Sequence, residues 1–113
     1  MSLFYSLHIY NLKPGISHSE FEKFMTTEWI PYIMSRPGCK GTTLLSGYKG
    51  EWMEHKMDYA TLEVWTSAHA NRESWGGPKS TWVTPEEMQP FMDQFRSYIL
   101  PDSFRTYEFN HVI

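Results

Sequence analysis

The sequence has 113 residues and a mass of 13.4 kDa, and 41% of its residues are apolar, which suits a single domain with one modest core. Ten basic and 13 acidic residues give a formal net charge of −3, so the clustered positive charge typical of a nucleic-acid surface is missing. No apolar run approaches the roughly 20 residues of a membrane-spanning helix. The N-terminus shows no secretory signal pattern, and the single cysteine, Cys39, excludes an internal disulfide. We therefore expect one cytoplasmic domain over residues 1–113, with neither a nucleic-acid nor a membrane partner.

The first elements along the chain are predicted to be a strand and a helix. Apolar residues alternate over residues 3–11, as in a strand with two distinct faces. Ser17, followed three residues later by Glu20, has the form of a capping box and marks the start of a helix. The apolar positions that follow have helical spacing, and Pro31 is expected to kink or end this helix.

Two further strands are predicted after the exit turn Arg36-Pro37-Gly38. The second strand covers residues 41–48, and the third covers residues 59–65. Between them, the charged residues and the glycine of 49–58 are typical of a loop or an extended hairpin tip. In a dimer this tip could instead reach the partner.

The last third of the chain is predicted to contain two helices and a strand. Ser67 is expected to cap a short helix over residues 68–75. Thr84, with a proline and two acids directly after it, is expected to open the second main helix. Pro101 should stop this helix, and the alternation of residues 103–112 predicts the last strand.

The predicted order of elements is that of a ferredoxin-like α+β fold, with a four-stranded antiparallel sheet and helices on one face. Two main helices cover only one face of such a sheet, so the other face must meet water, a ligand or a second subunit. Because Ala60, Leu62 and Val64 are aliphatic, we expect them to face the helices. The opposite, open face is then predicted to consist of Phe4, Ser6, His8, Tyr10, Tyr59, Thr61, Glu63, Trp65, Phe104, Thr106, Glu108 and Asn110. Such a face is too aromatic for water and too polar for a dry core, which favours a cavity closed by a second copy of the chain.

Several short segments resemble the dimeric α+β barrel superfamily, and in particular the domains related to antibiotic-biosynthesis monooxygenases. These segments are Leu12-Lys13-Pro14-Gly15, Glu20-Phe21, Arg36-Pro37-Gly38-Cys39-Lys40-Gly41 and Leu62-Glu63-Val64-Trp65-Thr66-Ser67. The resemblance covers residues 3–75 and extends to the last third only through the predicted elements. It implies a homodimer that pairs sheet to sheet. The activities of the superfamily include cofactor-free quinone-forming oxygenation, haem degradation, isomerisation and dehalogenation, and many of its members have no known activity.

His8 and Glu63 are the candidate catalytic residues. Both are predicted to point from adjacent strands into the same cavity. A histidine beside a carboxylate can act as a general base or can anchor an acidic ligand group. The alternative is a structural histidine satisfied by hydrogen bonds, with Glu63 paired to a cation at the dimer interface.

Six further residues are candidates for ligand binding. Phe4, Tyr10, Tyr59, Trp65 and Glu108 come from the predicted cavity face, and Arg105 is added from the last strand. Tyr10, His8 and Arg105 are the candidate head-group contacts, and the aromatic rings are the candidate walls. Trp65 occupies the position of a tryptophan in haem-degrading relatives, but their axial histidine has no counterpart, which favours a cavity wall. His18, His55, His69 and His111 show no metal-ligand spacing. We therefore expect neither a metal nor a cofactor.

Three functions remain compatible with the sequence. The first is a cofactor-independent monooxygenase or isomerase that acts on a hydrophobic small molecule of aromatic, polyketide-like or fatty-acid-like character. The second is a non-catalytic module that binds such a molecule, and the third is a dimer whose aromatic face is only its interface. Cys39 is interpreted as a partly buried thiol, and residues 76–84 as either a surface loop or a flexible cover of the pocket.

Overall fold

The computed structural model describes residues 2–48, 57–77 and 85–113, which form a four-stranded antiparallel sheet with helices packed on one face. The elements are β1 (Phe4–Tyr10), α1 (His18–Phe24), a π-helical turn (Met25–Trp29), α2 (Ile30–Met34), β2 (Cys39–Ser46), β3 (Tyr59–Trp65), α3 (Ala68–Ser74), a 3₁₀ turn (Glu86–Met88), α4 (Gln89–Tyr98), a second 3₁₀ turn (Pro101–Ser103) and β4 (Arg105–Asn110). The strand order β2-β3-β1-β4 is that of the ferredoxin-like fold, which confirms the predicted fold class.

The predicted elements agree with the structure except near their ends. The second strand begins at Cys39 rather than at residue 41, and the last strand covers only Arg105–Asn110 of the predicted 103–112. The short helix capped by Ser67 is present, because the Ser67 hydroxyl accepts a hydrogen bond from the Ala70 amide at 3.0 Å. Only residues 57 and 58 of the predicted hairpin tip are among the described residues, and the predicted cap Thr84 lies outside them.

The first helix starts as predicted but does not stop at its proline. The Ser17 hydroxyl accepts from the Glu20 amide at 3.2 Å, which satisfies one of the free N–H groups of the first turn. The chain then widens into the π-helical turn and continues through Pro31 to Met34. In a regular α-helix the ring of Pro31 would meet the carbonyl of the preceding turn, and the wider turn accommodates it.

The expectation of which sheet face meets the helices was wrong. Tyr59, Thr61, Glu63 and Trp65 are each at most 2% exposed and lie beneath the helices. The aliphatic residues of the same strand, including Leu62, are only half-buried and lie on the uncovered face. The sets of residues that share a face were grouped correctly, but the two faces are exchanged. Aromatic rings bury far more apolar area than Ala or Val, so the aromatic face gains most from contact with the helices.

Aromatic side chains from the sheet and the helices build most of the core. Tyr10 packs edge-on against Phe21 and Phe95, with ring centroids 5.9 and 5.3 Å apart. Trp29 stacks on Phe95 at 4.9 Å. The buried apolar cluster is completed by Phe4, Leu12, Phe24, Met25, Ile33, Tyr59, Trp65, Met88 and Ile99. These contacts fix α4 and the π-helical turn over the sheet, which leaves a space between the two layers.

Gly38, in the turn before β2, is expected to tolerate no larger residue. Its φ is +87°, and an added Cβ would lie 2.6 Å from Ala70 Cβ and 2.9 Å from Thr66 Oγ1. We expect Gly38→Ala to lower the free energy of unfolding by about 2 kcal/mol or more, measured by urea denaturation. Gly15→Ala is the control, because Gly15 has a similar φ of +84° but a methyl group there meets no atom within 4 Å, so the loss should be smaller. Equal losses of unfolding free energy in the two variants would contradict the steric requirement for glycine at position 38.

None of the helices in the described parts of the chain has the length and apolar character needed to cross a membrane.

Candidate active site

A cavity of about 460 Å³ lies between the helix-covered face of the sheet and the helices. Its lining residues are Ser6, His8, Trp29, Thr61, Glu63, Asn71, Arg72, Trp75, Met92, Phe95, Phe104, Thr106 and Glu108. The volume falls in the range of small-molecule sites, and an apolar wall with few polar groups is typical of them. The cavity lies within a single chain, whereas the sequence predicted a cavity closed by a second copy of the chain.

His8 and Glu63 meet on the sheet side of this cavity. In the antiparallel register of β1 and β3, Glu63 is opposite Ser6, two residues from His8 on the same face. His8 Nε2 lies 3.3 Å from Glu63 Oε2, and the Glu63 side chain is only 1% exposed. The other carboxylate oxygen accepts a hydrogen bond from Trp65 Nε1 at 3.0 Å. The buried carboxylate therefore has a hydrogen-bond donor on one oxygen and the imidazole on the other.

The contacts of His8 orient its imidazole ring. Nδ1 lies 2.9 Å from Thr106 Oγ1, and the ring stacks on Phe104 with centroids 5.4 Å apart. Ser6 Oγ is 3.2 Å from Nε2. When Nε2 carries the proton and donates to Glu63, Nδ1 is the basic nitrogen of the neutral ring. A proton taken up there would create an imidazolium beside the Glu63 carboxylate, which is an arrangement suited to a general base.

Asn71, which sequence reasoning did not single out, connects the dyad to the wall of the cavity. It lies on α3 and is 5% exposed. With its amide oxygen directed toward the indoles, it accepts a hydrogen bond from Trp75 Nε1 at 3.2 Å and shares the single N–H of Trp65, also at 3.2 Å, with Glu63. The only sequence signal for this role is its position one turn after the cap Ser67, and that signal predicts a helix rather than a site.

The apolar wall comes from three separate elements. Trp29 is contributed by the π-helical turn, Trp75 follows α3, and Met92 and Phe95 lie on α4. The rings of Trp29 and Trp75 are 6.2 Å apart. The helical spacing of Trp29, Met92 and Phe95 predicts core positions, and spacing alone does not distinguish a core position from a cavity wall.

The other predicted ligand-binding residues lie in different places. Glu108 lines the cavity. The aromatic residues Phe4, Tyr10, Tyr59 and Trp65 are buried in the core and do not line it. Arg105 is exposed on the opposite face of the sheet, level with Ile9, and donates to the carbonyls of Asp102 and Phe104.

Across residues 2–48, 57–77 and 85–113, no three His, Cys, Asp or Glu side chains are grouped as ligands for a metal. His18 contacts the Tyr59 hydroxyl, His69 is exposed on α3, and His111 contacts the Tyr5 hydroxyl. His55 lies outside the described residues.

Two buried tyrosines make the stability of the fold sensitive to alkaline pH. Burial raises the pKa of Tyr10 above its ordinary value of about 10, with a further rise from Glu63, against the opposing hydrogen bond from Thr61. Burial and the hydrogen bond to Glu22 raise the pKa of Tyr59 as well. In the unfolded chain these phenols ionise near pH 10, so above that pH unfolding releases protons and stability falls as pH rises.

We therefore expect the urea concentration at the midpoint of unfolding to decrease as the pH is raised from about 10 to about 12. In Tyr10→Phe the fall should be shallower, because one of the two buried phenols is gone. An equally steep fall in that variant would show that Tyr10 does not contribute to it.

Several solved structures have the same fold as this chain. SnoaB, a cofactor-independent oxygenase from Streptomyces nogalater, superposes with a TM-score of 0.69 at 15% identity, over 100% of this chain and 96% of SnoaB. A dimeric ferredoxin-like protein of unknown function from Bacteroides fragilis gives 0.64 at 8% identity, over 96% of each chain. A dabb family protein from Mesorhizobium loti gives 0.62 at 13% identity, over 100% of this chain and 98% of that one.

The chain has the ferredoxin-like fold of these structures. The resemblance inferred from the sequence is confirmed at this level. No family model matches the sequence, and no curated protein matches it. At these identities the likeness is one of fold, so the function has to be argued from the site itself.

Proposed function

We propose that this protein is a cofactor-independent oxygenase that acts on an aromatic or polyketide-like molecule bound in the cavity. The observation that carries the proposal is the His8–Glu63 pair, with Nε2 and Oε2 3.3 Å apart, at the base of a largely apolar cavity. The cofactor-independent oxygenase SnoaB has the same fold, which makes this reaction class the first to test.

The proposed reaction converts a ring CH₂ group activated by a neighbouring carbonyl into a ketone. His8 Nδ1 removes one proton from the CH₂ group, and Glu63 stabilises the imidazolium that forms. The carbanion reduces dioxygen, a C–O bond forms, and the peroxide takes the proton back from His8. Loss of the second C–H proton with cleavage of the O–O bond then gives the ketone and releases water. One dioxygen is consumed for each quinone and water formed.

The test uses dithranol, a hydroxylated anthrone, as the substrate. The purified protein is mixed with dithranol in air-saturated buffer that contains a metal chelator, and quinone absorbance and oxygen consumption are followed together. We expect quinone formation above the uncatalysed rate, with one oxygen consumed per quinone and no effect of the chelator. A rate equal to that without protein would contradict the oxygenase proposal for this substrate class.

The alternative of a non-catalytic binding protein is favoured by the hydrogen bonds of His8. Its Nε2 faces Glu63 and Ser6, and its Nδ1 faces the Thr106 hydroxyl, so neither nitrogen is without a protein partner. A structural histidine has contacts of this kind. If the protein binds an aromatic probe but does not turn over dithranol, the binding function is supported and the oxygenase is not.

We also propose that the chain forms a homodimer through the uncovered face of the sheet. Leu45, Tyr107 and Phe109 are 44%, 47% and 52% exposed there. Around them lie the half-buried side chains of Tyr5, Leu7, Ile9, Ala60, Leu62 and Val64. A continuous apolar surface of this kind is rarely left in water. The Bacteroides fragilis protein of the same fold is described as dimeric.

A further inference from the structure

An ion pair between Arg72 and Glu108 lies at the wall of the cavity. Arg72 is on α3 and Glu108 on β4, and both line the cavity. Arg72 Nη2 lies 3.6 Å from Glu108 Oε1, and the two side chains are 42% and 43% exposed. That distance is too long for a strong hydrogen bond, and half-exposed pairs of this kind contribute little to stability. Arg72 can therefore exchange Glu108 for a better partner at a small cost in free energy.

The position of the Arg72 side chain does not depend on Glu108. Its guanidinium carbon lies 5.7 Å from the centroid of the Phe4 ring, and the ring attracts the positive charge. Arg72 Nη1 is 3.4 Å from the carbonyl oxygen of Ala68, one turn earlier in the same helix. Removal of the Glu108 charge would leave these two contacts in place.

The charges that face the cavity make Arg72 the natural partner of an anionic ligand. Among the described residues that line the cavity, Arg72 is the one that is always cationic. Glu63 already has the Trp65 indole and His8 as partners. Glu108, by contrast, is partly in water on an edge strand, so its carboxylate can turn outward when a ligand arrives.

We propose that Arg72 binds a carboxylate on the ligand and that Glu108 is an internal competitor for the same guanidinium. The inference rests on the proposal that the cavity binds an aromatic molecule, and it specifies that molecule as an aromatic carboxylic acid. The planar guanidinium suits a carboxylate because it can donate two parallel hydrogen bonds to it. The ring of the ligand then lies against the tryptophan wall, and its acid group lies at Arg72.

The test compares two probes that share a naphthalene ring, β-naphthoate and its neutral amide β-naphthamide, by isothermal titration calorimetry. We expect Arg72→Met to weaken naphthoate binding by about ten-fold or more, with naphthamide affinity unchanged. Glu108→Gln should act in the opposite direction and strengthen naphthoate binding by about two- to five-fold. Lys23→Met is the charge-matched control, since Lys23 is exposed on α1 and should change neither affinity.

The outcomes separate this inference from the proposed function. If both probes bind and Arg72→Met weakens them equally or not at all, the inference is overturned and the cavity remains a ligand site. Arg96 lines a neighbouring cavity that shares Met92, Phe95 and Phe104 with this one. If Arg96→Met removes naphthoate binding instead, the acid group of the probe lies in that neighbouring cavity and the role of Arg72 is refuted. If neither probe binds the unaltered protein, the proposed ligand site itself is contradicted. Circular dichroism confirms in each case that the variant is folded.

Discussion

His8→Gln is expected to lower the rate of dithranol oxygenation by about a hundred-fold or more. Glutamine keeps a similar size and keeps hydrogen-bonding atoms near Thr106, but it cannot accept a proton at neutral pH. A positioned general base contributes about 10²–10⁴ to a rate, and its loss should reduce turnover rather than binding. The measurement is the initial rate of quinone formation at saturating dithranol, corrected for the uncatalysed rate.

Glu63→Gln tests the second member of the pair. The amide oxygen can still accept the hydrogen bond of Trp65 Nε1, so the packing is preserved while the negative charge beside His8 is removed. We expect a rate loss in the same direction, because the imidazolium that forms during proton transfer loses its counter-charge.

His69→Gln is the matched control for the histidine. His69 is exposed on α3 and lies outside the cavity lining, so its replacement should leave the rate unchanged. Binding of β-naphthamide to the His8 and Glu63 variants shows whether the cavity is intact. If turnover persists in His8→Gln, His8 is a structural residue and another group must remove the proton.

Leu62→Glu is expected to convert the proposed dimer into a monomer. Leu62 lies in β3, near the centre of the uncovered face, opposite Leu7 in β1 and Thr43 in β2. A second sheet packed on this face would bury the new carboxylate without a partner. We expect the dimer dissociation constant to rise by about a hundred-fold or more, measured by analytical ultracentrifugation. The unaltered protein should sediment with twice the 13.4 kDa mass of the chain.

Met34→Glu is the control for this variant. Met34 is 50% exposed at the end of α2, on the other side of the molecule from the uncovered sheet face, and replacing it adds the same charge. This variant should stay dimeric. A monomeric unaltered protein would contradict the proposed dimer, and a dimeric Leu62→Glu variant would place the interface elsewhere.

Much of the fold follows from local sequence features. The cap residues Ser17 and Ser67 and the positive-φ glycine Gly38 mark helix starts and a turn, because each satisfies or permits a backbone geometry that few other residues can. Strict alternation in β1 and β3 groups His8 with Glu63, and the structure brings their side chains to 3.3 Å. That contact was predictable because it needs only the strand order and the two-residue period.

Other parts of the site depend on segments far apart in the chain. The rings of Trp29 and Trp75 come within 6.2 Å only after the π-helical turn has packed against the end of α3, and no local pattern encodes this contact. The same holds for Arg72 and Glu108, which lie on a helix and on an edge strand.

The alternation in the sequence predicts which residues share a face of the sheet, but which face the helices cover depends on how the elements pack. Alternation is symmetric between the two faces and carries no information on this choice. The aromatic side chains of Tyr10, Tyr59 and Trp65 bury more apolar area against the helices than Ala60 or Val64 would. The helices therefore cover the aromatic face, with His8 and Glu63 in the cavity beneath them, and the aliphatic face is left uncovered.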